Sequence, residues 1–140
     1  MTTKIVYHSQ TGNTKKVAEA IAESLSCQAE TIEKATITEP IDLLFIGAAV
    51  YATYDHGFSP EVQQFISKLS ANNIKRVAIF GTYAFGSSIE KLRQLLVDHG
   101  LIVESEKFSC KGRFLFFNWK APTHSDLLNA QAFARKIAGA

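Results

Sequence analysis

The 140-residue chain has only two cysteines, Cys27 and Cys110. They are too few for a disulfide framework and too far apart for a metal-binding spacing. The expectation is a cytoplasmic protein with two reduced thiols. Charge of one sign is also scarce: 15 Lys and Arg stand against 13 Asp and Glu, a net charge of +2. The lysines are spread along the chain, so no nucleic-acid partner is expected. No stretch approaches the roughly 20 apolar residues of a membrane span. The N-terminus lacks a basic region followed by an apolar one, so no signal peptide is expected. Repeats, low-complexity segments and linkers are missing too. A monomer with a single domain over residues 1–140 is the expectation.

What the chain does have is a regular alternation of patterns. Ile5-Val6-Tyr7 reads as a strand, and Val17, Ala18, Ile21, Ala22 and Leu25 follow at helical spacing. Gln28 to Ile32 is a weaker strand. Leu43 to Val50 is apolar on both faces, as a central parallel strand covered on both sides must be. Ser59-Pro60-Glu61 opens a helix with Ser59 as N-cap and Pro60 in the first turn. Val77 to Gly81 is the next strand. Ser87 with Glu90 fits a capping box, and Gly100 stops the helix that follows. Leu101 to Phe108 is a fifth strand with Ile102 and Val103 at its apolar centre. A last helix is capped by Ser125 or Thr123. This order predicts a doubly wound α/β sheet.

Between the first strand and first helix lies Ser9-Gln10-Thr11-Gly12-Asn13-Thr14. A strand that ends in a hydroxyl-rich loop and feeds a helix N-terminus can hold a phosphate, through loop N–H groups and the helix dipole. Ser9, Thr11 and Thr14 add hydroxyls, Asn13 adds an amide, and Gly12 lets the backbone close in. The loop contains no cation, which argues against a nucleoside-triphosphate loop ending in GK[ST]. Neutral donors suit one monophosphate. Such clusters are also ordinary turns and caps, but ligands in open α/β sheets sit at the carboxyl ends of strands.

Two more loops belong to that edge: Tyr51-Ala52-Thr53-Tyr54-Asp55-His56-Gly57-Phe58 and Thr82-Tyr83-Ala84-Phe85-Gly86-Ser87. For any single ring, covering a strand end is the simpler account. Two aromatic loops beside a phosphate cradle suit a flat aromatic ligand stacked between rings. Phosphate at one end and a stacked ring system at the other describe flavin mononucleotide (FMN).

Here the chain resembles the flavodoxin family, in its short-chain form and over nearly its whole length. The resemblance is carried by SQTGNT, DLLFIGAAVY, PEVQQFISKL, VAIFGTYAFG and DLLNAQAFARKI. It implies a flavodoxin-like five-stranded parallel sheet in the order 2-1-3-4-5, with helices on both faces. That strand order is the family's own and does not follow from the spacing of these residues. The resemblance also implies FMN bound non-covalently, with Ser9, Gln10, Thr11, Gly12, Asn13 and Thr14 on the phosphate. Tyr51 or Tyr54 would flank one face of the ring, and Tyr83 or Phe85 the other. Thr82 and Gly86 belong to the same loop, and Gly57 is the candidate peptide for the flavin N5–H. Family members are strongly acidic, whereas this chain is slightly basic. Fewer negative charges near the ring would raise the potential of its reduced state.

The reading that follows is a carrier of single electrons between a reductase and an acceptor enzyme. The alternatives are an FMN oxidoreductase acting on a quinone or tetrapyrrole, and a non-redox binding module of the same fold. His56 would lie beside the flavin, as an exposed loop residue or a proton donor. His8 is expected to be structural, and His99 to sit at a helix C-terminus as a dipole partner. Cys110 lacks an activating neighbour. The aromatic run Phe114 to Trp119 is flanked by Lys107, Lys111, Arg113 and Lys120, which could attract an acidic partner or an anionic substrate.

Overall fold

A computed structural model describes residues 1–50, 58–83, 89–113 and 120–139. Five strands form one sheet: β1 (Thr3–His8), β2 (Ala29–Thr31), β3 (Ile41–Val50), β4 (Ile74–Tyr83) and β5 (Val103–Lys111). Every pairing is parallel, and the order is β2-β1-β3-β4-β5. Helices α1 (Asn13–Ser24), α2 (Pro60–Ser67), α3 (Glu90–Asp98) and α4 (His124–Ala138) make the crossovers and the closing element. A short 3-10 turn over Ala71–Asn73 precedes β4.

Strand alternation divides the interior into two layers. Val6, Leu44, Ile46, Val77 and Ile79 pack with Val62 and Ile66 of α2 and Leu92 and Leu96 of α3. Ile5, Leu43, Phe45, Ala78 and Phe80 pack with Val17 and Ile21 of α1 and Ala130, Phe133, Ala134 and Ile137 of α4. Leu43, Leu44, Phe45, Phe80 and Ile79 are fully buried. That is why β3 and β4 carry apolar residues on both faces. Gly47 is required by this packing: a Cβ there would lie 2.0 Å from Cε2 of Phe80, its partner in the next strand.

The outer strand departs from the sequence expectation. Ile102 lies before β5 and is 70% exposed, so it is not part of an apolar strand centre. β5 is an edge strand, and its charged residues Glu104, Glu106 and Lys107 suit that position. Pro60 opens α2 as expected, but the Ser59 side chain makes no cap hydrogen bond. Thr123, not Ser125, caps α4. Its hydroxyl accepts the Asp126 N–H at 3.1 Å while the Asp126 carboxylate accepts the Thr123 N–H at 2.8 Å. Ser87, expected to cap α3, lies outside the described residues.

Candidate functional site

The chain leaves β1 at His8, turns through Ser9 to Gly12 and enters α1 at Asn13. Gly12 has φ 89°, a conformation strained for any other residue, and no atom of the described residues would lie within 4 Å of a Cβ placed on it. Among the described residues no side chain caps α1, and its first turn holds no acidic residue. Among the described residues the first N–H groups of α1 therefore have no side-chain acceptor, and the positive end of the helix dipole lies at the loop.

The loop is braced from within. Ser9 Oγ accepts the Gly12 N–H at 3.0 Å, and Thr11 Oγ1 accepts an Asn13 Nδ2–H at 3.0 Å. Each hydroxyl is an acceptor in these bonds and keeps its own O–H to donate. Asn13 Nδ2 also donates to the Arg113 carbonyl at 2.8 Å. Asn13 thus spends both side-chain N–H groups inside the protein, and what it can offer an anion is its backbone N–H. Thr14 is fully buried, with its hydroxyl 2.8 Å from that of Thr82 on β4. This pair fixes the first turn of α1 to the sheet.

The end of β5 closes the other side. The Gly112 N–H donates to the Tyr83 carbonyl at 2.8 Å. A Cβ on Gly112 would come within 2.7 Å of Asn13 Nδ2, so the strand end lies directly against the loop. A cleft of about 670 Å³ opens beside it, lined by Tyr83, Cys110, Lys111, Lys120, Thr123 and Asp126 among others. The half-buried Tyr83 also packs against the layer formed with α2 and α3.

Several expected residues fall elsewhere. Tyr51, Tyr54, His56, Gly57, Phe85 and Gly86 lie outside the described residues, as does the aromatic run 114–119. Gln10 is exposed in the loop. His8 is buried, with Nδ1 3.1 Å from Glu33 Oε1; Nε2 has no hydrogen-bond partner among the described residues. His99 Nε2 lies 2.7 Å from the Leu69 carbonyl, so it ties the end of α3 to the segment after α2. Burial, reinforced by the negative charge of Asp126, pushes the Cys110 thiol up to about 12, and burial raises Cys27. Neither is a thiolate nucleophile near neutral pH. No cluster of His, Cys, Asp or Glu suited to a metal ion occurs among the described residues. No described helix is long and apolar enough to cross a membrane.

A doubly wound parallel sheet with a hydroxyl-rich loop feeding a helix N-terminus at its carboxyl edge places the chain among the open α/β domains, whose ligands sit at that edge. Comparison with known proteins narrows the class. A family model described as the flavodoxin domain matches residues 4–101. An uncharacterized protein of Methanocaldococcus jannaschii is 30% identical over 148 residues, covering 96% of this chain and 93% of that one. A flavodoxin from the domain Archaea superposes with a TM-score of 0.80 at 19% identity, covering 99% of this chain and 97% of the other. The Fusobacterium nucleatum flavodoxin solved with flavin mononucleotide gives 0.67 at 15% identity, covering 99% and 97%. The chain belongs to the flavodoxin family.

Proposed function

We propose that this protein binds FMN at the carboxyl edge of the sheet and carries electrons between a reductase and an acceptor protein. The observation that carries the reading is the open, uncapped start of α1 beneath Ser9 and Thr11, whose hydroxyls keep protons to donate. That donor set fits a phosphate monoester. The backbone N–H groups of Asn13 and Thr14 would meet its oxygens, with the two hydroxyls completing the shell. Family membership and the flavin-bound relative support FMN over other phosphate esters.

Bound FMN would supply reversible one- and two-electron chemistry. The chain's own residues bind and orient. The Thr14–Thr82 pair holds the helix end at a fixed height above β4. Asn13 holds the loop to Arg113, a brace that would limit the ordering cost of binding. The aromatic loops around Tyr51, Tyr54 and Phe85 would receive the ring system. The test is an anaerobic, stepwise reduction of the FMN-loaded protein followed by absorbance. Two resolved one-electron steps support a carrier. A single two-electron step, with steady turnover of a small quinone in the absence of any partner protein, would replace it with an oxidoreductase.

A further inference from the structure

The corner where β5 ends and α4 begins carries more positive charge than the role of a phosphate cradle requires. Lys111, Arg113 and Lys120 are all exposed there, and Lys111 and Lys120 line the same cleft. Among the described residues, neither of these two lysines has a carboxylate within ion-pairing distance. By contrast, Lys75, Lys107 and Lys136 all pair with carboxylates. Among the described residues that line the cleft the carboxylate is that of Asp126, which accepts the Thr123 N–H in the cap of α4. The corner is also fixed to the functional site, because the Arg113 carbonyl holds Asn13 of the loop. A separate cavity of about 400 Å³ between the β2 end and α2 is lined by charges of both signs, Glu33 and Glu61 with Lys68. The β5–α4 corner is therefore the more uniformly positive of the two.

A fixed field of this kind selects partners by charge and orients them before contact. We propose that the β5–α4 corner, with Lys111, Arg113 and Lys120, is the docking face for a redox partner that presents an acidic patch. The proposal rests on the electron-carrier reading for its redox sense, while the surface itself can be tested without flavin. An acidic patch here lies against the strand end that braces the phosphate loop, close to the edge where electrons would leave. A basic partner is repelled from the same corner.

The experiment mixes FMN-loaded protein, reduced anaerobically with dithionite, with two protein oxidants in a stopped-flow instrument: an acidic rubredoxin and a basic c-type cytochrome. Each transfer moves one electron from the reduced flavin to an Fe(III), which becomes Fe(II). The rubredoxin rate should fall by roughly tenfold or more between low and high ionic strength. Lys111→Gln with Lys120→Gln should lower it at low salt and flatten its salt dependence, without lowering the cytochrome rate. A rubredoxin rate indifferent to both salt and the double variant overturns the proposal. In parallel, poly-L-glutamate is titrated into flavin-free protein and followed by amide NMR. Salt-sensitive shifts centred on Lys111, Arg113 and Lys120 support the docking face. Shifts elsewhere, or none, overturn it. Failure of the protein to take up FMN would sink the carrier reading alone, because the titration still decides the surface.

Discussion

Replacing Thr82 with valine exchanges one buried oxygen for a methyl group of almost the same size. Thr82 is 2% exposed and its hydroxyl meets that of fully buried Thr14 at 2.8 Å. The Thr14 hydroxyl would be left in the interior with no partner in β4. An unsatisfied buried hydroxyl costs about 1–3 kcal/mol, whereas replacing both members of a pair by apolar groups of the same shape is nearly neutral. Thr82→Val and Thr14→Val should each destabilise the flavin-free protein by about 1–3 kcal/mol, and the double variant by clearly less than their sum. The coupling should fall in the range of about 0.5–3 kcal/mol typical of residues in contact. For a chain of this size each kcal/mol lowers the midpoint by about 3 °C, so thermal or urea unfolding followed by circular dichroism resolves it. Strictly additive losses would show that the two hydroxyls do not depend on each other, and this pair would not be what anchors α1.

Gly47→Ala should be among the most damaging small changes, costing about 1–3 kcal/mol or more by forcing Phe80 out of its place, as read by the unfolding midpoint. Ile102→Lys, at a 70% exposed position, should stay within about 0.5 kcal/mol of the parent in the same assay. Cys110 gives a signed pH effect. Its thiol is raised from 9.0 to about 12 on folding, so the unfolded chain loses its proton first as pH rises. The stability linked to this thiol is fully present below pH 9.0 and lost on the way to pH 12. Cys110→Ala should remove that part of the alkaline decline, and an unchanged difference between the two pH profiles would contradict the assignment.

The elements easiest to see in the sequence were those whose environment is uniform along their length. Leu43 to Val50 is apolar at consecutive positions because both of its faces are covered, and it became β3 with the boundaries moved by two residues at the start. Pro60 and Gly100 marked a helix start and a helix stop through backbone geometry alone. The fifth strand was harder. Ile102 and Val103 look like a strand centre, yet β5 lies at the sheet edge, where burial does not dictate the pattern and the apolar pair falls at its beginning. In the sequence Ser125 and Thr123 both suit the cap of α4, and only the reciprocal bonds of Thr123 and Asp126 decide between them.

At the candidate site, the loop composition points to the proposed cradle, but its internal wiring is invisible in the sequence. Asn13 and Arg113 are 100 residues apart, and Thr14 and Thr82 are 68 apart. Neither pairing leaves a local spacing to read. The TxxD spacing at Thr123 was such a local signal, whereas the His8–Glu33 contact had none. The charge at Lys111, Arg113 and Lys120 was legible as flanking residues. Its position beside the loop came only with the contact between Gly112 and Asn13.

The most direct test of the central claim is a titration of FMN into flavin-free protein, followed by quenching of flavin fluorescence, for the parent and for Ser9→Ala combined with Thr11→Ala, the two loop hydroxyls that keep protons to donate. The expected result is saturable uptake by the parent and an affinity lower by about 1–3 kcal/mol, or roughly five- to 150-fold, in the double variant. No uptake by the parent, or equal affinity in both proteins, would contradict the phosphate cradle.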